Sequence, residues 1–493
     1  MTIVLDGHTL DPESLWAIAC RREPVALSGE ARQAMAANHA AWLAQDPPDI
    51  LARKEAWLVG TQDFEASEEQ RIRAFVLGHC AGVGDPLPAH HVRALMACRA
   101  NVLAGALSGA RPQAAQAIVD ALNQGVIPSI PSQGSVGAAG DLAPLAHLAQ
   151  VLFGLGGELL EGEHPRPFKP TPKEALAFIN GATLTVAQGA LSVHKARHLL
   201  KVAELACAMS MEVVQADSGC LDQGALAARN HAGGVRVARR LRELLQGSQL
   251  VHAGNNADAF SIRCAPAVLG AARDALDYVE NTVRLELNGA CDNPLCFADR
   301  IVEAGNFHGA PVAMALDHLK VALTQVASIA ERRIFRLTYG QLSGNLPSFL
   351  LESTGVNSGF MLAQYTAASL VSECKGLSHP ASVDSIPTGQ HHEDHVSMGP
   401  AAAKTLRMVV ENLEQVIAIE LLVAAQGLEF RREGVSFSPD GERIQGPAVP
   451  LAPAIESARA ALRDRVPRWT DDRVLHRDLE AVVTLVKAGG LAR

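Results

Sequence analysis

Apolar positions recur at helical spacing through residues 400–427, where Leu406, Val409, Val410, Leu413, Val416, Ile417 and Leu421 form one stripe and Lys404, Arg407, Glu411 and Glu414 lie opposite. Proline at the start and glycine at the end read as helix punctuation. At 1.5 Å per residue such a helix runs about 40 Å, longer than a small domain. The same period predicts long helices over 183–216, 266–287, 311–337 and 361–375, and five in succession imply one elongated all-α bundle. The first 180 residues differ: shorter helical runs over 88–108, 112–124 and 141–153 alternate with loops rich in Gly, Pro and Ser. No period-2 series marks a strand of any length. After Phe430 comes another such loop, then two short helices starting near Ile455 and Leu475. Three regions result: an N-terminal helical domain (1–180), a long-helix core (181–430) and a C-terminal appendage (431–493). The stripe from Leu406 to Leu421 is longer than one subunit is expected to cover, which points to assembly, specifically a tetramer.

Charge narrows the function. The chain has 493 residues, with Lys+Arg 43 against Asp+Glu 52 and a net charge of -9. Its basic residues are short pairs such as Arg239 and Arg240 scattered among acids along the chain, so no nucleic-acid partner is expected. No stretch approaches the roughly 20 unbroken apolar residues of a membrane span. The start, MTIVLDGHTLDPES, lacks the basic and apolar regions of a secretory signal, and a cytoplasmic protein is expected. Nine cysteines without any CxxC pair fit reduced thiols better than disulfides or structural zinc. Aromatics are only 4% and alanine is abundant, a composition for closely packed helices.

The chemistry concentrates in residues 128–147, PSIPSQGSVGAAGDLAPLAH. Gly134, Gly137 and Gly140 permit backbone conformations closed to other residues, and Asp141 can cap the following helix. Free amides at a helix start beside a tight glycine turn stabilise negative charge, so a helix cap or an anion site is the plain reading.

The string GSVGAAGDLAPLAH resembles the signature of the aromatic amino acid ammonia-lyases, the histidine enzymes and their phenylalanine and tyrosine relatives, where it reads GSVGASGDLAPLAH. In that family the Ala-Ser-Gly tripeptide cyclises and loses water to give an electrophilic methylidene-imidazolone. The resemblance extends along the chain through GHCAGVGDPL, FINGAT, CDNPLCF, GNFHGAPVA, GVNSGFMLAQ, SHPASVDSIPT and EDHVSMGPAA in the family order. It implies an all-helical fold with a long central bundle, assembled as a homotetramer.

The tripeptide here is Ala138-Ala139-Gly140, and the methyl of Ala139 offers no leaving group, so no cofactor is expected. The family's inner-loop tyrosine, from YGxNTGFG, corresponds to Trp57 in the stretch 57–63. In its QDxYSLRC motif the glutamine has become Ala257 and the tyrosine Phe260. Other groups persist. By resemblance, Arg263 holds the substrate carboxylate, Asn180 orients electrophile and substrate, His79 and Phe307 line the pocket, and Glu393 is the acid of the histidine-specific branch. Each also has a plainer role: Arg263 as an ion-pair partner at a helix start, Asn180 as a turn residue, His79 as a core histidine.

Histidines fill the stretch from Gln390 to His395. A helical reading would align His391 and His395 for a divalent metal, but the stretch reads as a loop and no metal is expected. Proton transfer by His79, His392 or Glu393 is the more chemical reading. Three functions follow. The leading expectation is electrophile-independent chemistry on an amino-acid-like or carboxylate small molecule. The alternatives are a non-catalytic binding or assembly homologue, and a true histidine or tyrosine ammonia-lyase inactivated by an engineered serine-to-alanine change.

Overall fold

The computed structural model describes residues 2–47, 49–51, 66–254, 258–352, 355–438 and 440–491. The fold is all-α. The five long helices run Thr183–Val214, Ala265–Leu287, Ala310–Thr338, Met361–Leu377 and Gly399–Arg432, and the shorter ones include Ala89–Ala104, Pro112–Gln124 and Leu142–Leu152. The described strands are two to four residues long and pair only in twos.

Gly427 does not end its helix. A side chain there would put its first carbon 2.6 Å from a Val213 methyl, so this glycine allows Gly399–Arg432 to lie against Thr183–Val214. From Val416 to Arg431 the helix is buried on every side. The polar groups it carries inward are satisfied there. Glu420 accepts two hydrogen bonds from Arg333 (2.5 and 2.9 Å) and one from Ser210 (2.8 Å), while Arg431 donates to the Val213, Ser343 and Gly344 carbonyls. The stripe from Leu406 to Leu421 is covered within a single chain, so it does not argue for assembly.

Two compact units make up the chain. The first comprises Met1–His194, Tyr278–His318 and Pro380–Arg407, and the second Lys195–Asp277, Leu319–His379 and Met408–Arg493. In the first, Val83–Pro86 pairs with Pro131–Gln133 and holds one side of the glycine loop. The second contains the C-terminal helices Pro453–Arg463 and Leu475–Lys487. One helix among the described residues, Ala310–Thr338, is long and apolar enough by composition to cross a membrane, which the sequence reading did not single out. Much of it is instead buried within the chain, Arg333 and Lys320 included.

Candidate active site

The loop that carries the tripeptide is docked on the start of the Thr183–Val214 helix. Gly140, at φ +87°, forms an isolated parallel bridge with Gly181. The Gly181 amide donates to the Ala139 carbonyl at 3.3 Å, and the Asp141 amide donates to the Gly181 carbonyl at 2.8 Å. A side-chain carbon at Gly140 would lie 2.2 Å from the Gly181 backbone, so only glycine fits. From the other side, the Met398 amide donates to the Val136 carbonyl at 3.0 Å and Ser397 Oγ to the Gly137 carbonyl at 3.0 Å. Ala138 packs against Val396 and Met398.

Asp141 stands at the N-cap of Leu142–Leu152, yet its side chain does not cap that helix. It reaches across to Thr185, accepting from the amide (2.9 Å) and hydroxyl (3.3 Å), and also accepts from Ser135 Oγ at 3.1 Å. The carboxyl therefore sits in the first turn of a different helix, Thr183–Val214, and ties the loop to it. Burial lifts its pKa to about 6, against the opposing pull of the Thr185 and Ser135 hydrogen bonds.

Asn180 is 1% exposed. Its Nδ2 donates to the Asn293 carbonyl at 3.0 Å, while Oδ1 is buried with no hydrogen-bond partner among the described residues. An acceptor left bare beside the tripeptide is costly unless a ligand donor meets it. Arg99, fully buried, donates to the Asn180 carbonyl at 2.5 Å and fixes that turn. Nearby, the buried Lys173–Asp292 ion pair closes at 3.1 Å, with burial pulling the Lys173 ammonium below its ordinary pKa against the raising effect of Asp292. Only the asparagine was legible as functional; its arginine support is 81 residues distant in sequence.

His79 ends the helix Glu68–His79, and its Nδ1 lies 2.7 Å from the Phe75 carbonyl. A carbonyl only accepts, so Nδ1 carries a proton and Nε2 is the nitrogen left for other partners. Three residues on, Gly82 abuts Gly134 of the loop, and its amide donates to His147 Nε2 at 3.3 Å. His147 is thus a positioning group that the motif contained but the sequence reading did not single out.

Glu393 is held in a closed turn: Thr388 Oγ1 donates to its carboxylate at 2.6 Å and the Thr388 amide to its carbonyl at 3.0 Å. Inside that turn Gln390 and His391 have φ of +55° and +66°, so no regular helix aligns His391 with His395. The His392 amide donates to the Gly389 carbonyl, also within the turn. His395 instead stacks on His308, ring centres 5.4 Å apart. Because the Ala310 amide donates to His308 Nδ1 (3.3 Å), the neutral His308 ring carries its proton on Nε2, 3.2 Å from the His395 carbonyl. This pair joins the loop of Phe307 to that of Glu393, and Gly309 abuts both Ala182 and Ser397. The first unit therefore brings together the tripeptide segment, the Asn180 turn and the loops bearing His79, Phe307 and Glu393.

Phe260 and Arg263 form the short helix Phe260–Arg263 of the second unit, with Phe260 74% exposed and Arg263 exposed too. Trp57 and Ala257 lie outside the described residues. Among the described residues no group of three or more His, Cys, Asp or Glu could hold a metal ion.

The glycine loop backed by an asparagine turn within an all-helical fold is carried by a chain that belongs to the aromatic amino acid lyases, whose sequence model matches residues 10–463. Within the family its similarity is strong to histidine ammonia-lyases. It is 44% identical to the one from Anaeromyxobacter sp. (strain K), over 99% of each chain. The crystal structure of histidine ammonia-lyase from Trypanosoma cruzi matches at a TM-score of 0.88 and 37% identity, covering 100% of this chain and 94% of that one. Tyrosine aminomutase from Streptomyces globisporus matches at a TM-score of 0.90 and 32% identity, covering 100% and 98%.

These relatives overturn two expectations. Electrophile-independent chemistry is not what a chain this close to histidine ammonia-lyases over nearly its full length supports; the enzyme reading takes its place. The expectation of no cofactor is corrected with it, because it conflicts with the similarity to histidine ammonia-lyases, whose family the resemblance associates with the methylidene-imidazolone. The loop keeps the frame for that group in the glycine contact of Gly140 with Gly181 and in the bare Asn180 acceptor. The misfit is confined to one side chain, since Ala139 carries no hydroxyl to lose.

Proposed function

We propose that this chain is a histidine ammonia-lyase, built to bind histidine and eliminate ammonia from it, with alanine at position 139 where the reactive serine belongs. The observation that carries the reading is the buried, unpartnered Oδ1 of Asn180 beside a tripeptide whose backbone frame is kept. The similarity to histidine ammonia-lyases supports the substrate. In this reading Arg263 takes the carboxylate, its planar guanidinium matched to two oxygens. Asn180 Oδ1 accepts from the substrate, and His79 and Glu393 serve the imidazole end, with His392 in the same turn as Glu393. Phe307 supplies an apolar wall. Elimination breaks one C–H and one C–N bond, forms a C=C bond and releases ammonia and an imidazole acrylate. No step is assigned to the Ala139 methyl.

The test is Ala139→Ser. Its intact mass should fall short of the sequence mass by two waters, one lost in ring closure and one as the serine hydroxyl leaves, and histidine should yield ammonia and acrylate, while tyrosine and phenylalanine yield far less. General-base groups contribute typically about 10²–10⁴-fold, so adding Phe260→Tyr should raise the rate further. A dehydrated variant that binds histidine but releases no ammonia, with or without Phe260→Tyr, would overturn the proposal.

We further propose a homotetramer in the cytoplasm. The support is a second stripe: along Ala310–Thr338 and just beyond it, positions 311, 314, 318, 321, 325, 328, 332, 335 and 339 follow a strict three-four spacing and, apart from a half-buried Ser328, all are exposed in the single chain. That is the seam pattern of helices that pack side by side. Met314, Val321, Phe335 and Tyr339 are its apolar members.

A further inference from the structure

We propose that a basic cavity in the second unit, formed by the helices Thr183–Val214, Ala232–Leu244 and Ala265–Leu287, binds a small polyanion of the polyphosphate or polycarboxylate class. The cavity holds about 460 Å³, within the range of small-molecule sites. Its position follows from glycines. A side-chain carbon at Gly233 would lie 2.1 Å from the Gly270 carbonyl oxygen, and one at Gly270 would lie 2.4 Å from the Gly234 nitrogen, so the second and third helices touch there. Three residues further along each, Arg236 and Arg273 emerge into the cavity wall.

Charge in the wall is unbalanced. Lys201, Arg236, Arg239, Arg240 and Arg273 line it together with two acids, Glu204 and Glu243. Glu204, itself 1% exposed at the side chain, is fully engaged by Arg273, which donates from Nε at 2.5 Å and Nη2 at 2.8 Å. Glu243 is shared between Arg239 at 3.9 Å and Arg240 at 3.7 Å, both beyond hydrogen-bond distance. Arg236 meets Asp274 and Asp277 through Nη2, leaving its buried Nε with no hydrogen-bond partner among the described residues.

Lys201 is exposed with no ion pair among the described residues, and the Arg239 side chain is 67% exposed. Like charges gathered round one volume repel, and an anion shared among them offsets that repulsion. Guanidinium forks match the paired oxygens of phosphates and carboxylates, and at least two negative charges are needed to engage both the Lys201 and the Arg239 side. None of these residues has a role in the ammonia-lyase reading, so the two stand or fall separately.

Calorimetry on the full chain with inorganic pyrophosphate and, separately, citrate tests the site. The expected result is saturable binding, one ligand per chain, of at least one of them. It should weaken with added salt and by at least tenfold in Lys201→Ala/Arg239→Ala, whose thermal unfolding should match that of the parent because both side chains are exposed. Pyrophosphate alone would assign phosphate chemistry, citrate alone carboxylate chemistry, and both a general polyanion site. Absence of saturable binding, an unchanged affinity in the double variant, or acetate competing at equal concentration would overturn the proposal.

Discussion

Asp141 links the chemistry of the tripeptide loop to the stability of the helix it rests on. Burial holds its carboxyl near pKa 6, above its ordinary 3.8, so the folded chain keeps a proton that the unfolded chain gives up. The sign follows: the stabilisation from that proton is complete below about pH 4 and is lost as pH rises towards 6, about 3 kcal/mol in all. Asp141→Asn keeps the shape without the titration. Unfolding of the parent measured from pH 4 to 7 should therefore lose stability relative to the variant across this window, and parallel profiles would refute the assignment. The residue also marks a limit of legibility. A carboxylate before a helix reads as a cap, but its partner Thr185 is 44 residues away, and nothing in local spacing announces it. Asn180 was legible through its FINGAT context; its bare oxygen was not, because an unmet acceptor exists only once the surroundings are built.

At the scale of elements, the long helices were readable almost to the residue where proline and glycine punctuate them and apolar spacing persists. Pro112–Gln124 matches the expected bounds, and Thr183–Val214 and Ala265–Leu287 differ by one or two residues. Gly427 misled because a glycine at a helix end and a glycine at a close helix crossing look alike in sequence. The crossing makes a prediction. Gly427→Val would place its Cβ 2.6 Å from a Val213 methyl, with two further methyls to fit, and overpacking of this kind costs typically about 1–3 kcal/mol. The variant should unfold at lower denaturant, and Val213→Ala in the same chain should return much of the loss; additive effects of the two changes would show that the contact is not the cause. Turns such as the one closed by Thr388 and Glu393 were legible only as loops, since left-handed residues like His391 have no signature in composition.

For the whole molecule, the exposed seam on Ala310–Thr338 predicts the assembly. Light scattering should give four times the chain mass, and Val321→Glu with Phe335→Arg should lower it by burying charge in the seam. A native chain that scatters as a monomer would remove the argument. The interleaving of the two units has a consequence in time. The unit that holds the tripeptide draws on three separate stretches, the last ending at Arg407. Ala138 rests on Val396 and Met398 from that last stretch. During synthesis the loop therefore has no complete seat until the ribosome has passed residue 407, and a nascent chain stalled earlier would present Gly134 to Gly140 to protease as an open turn.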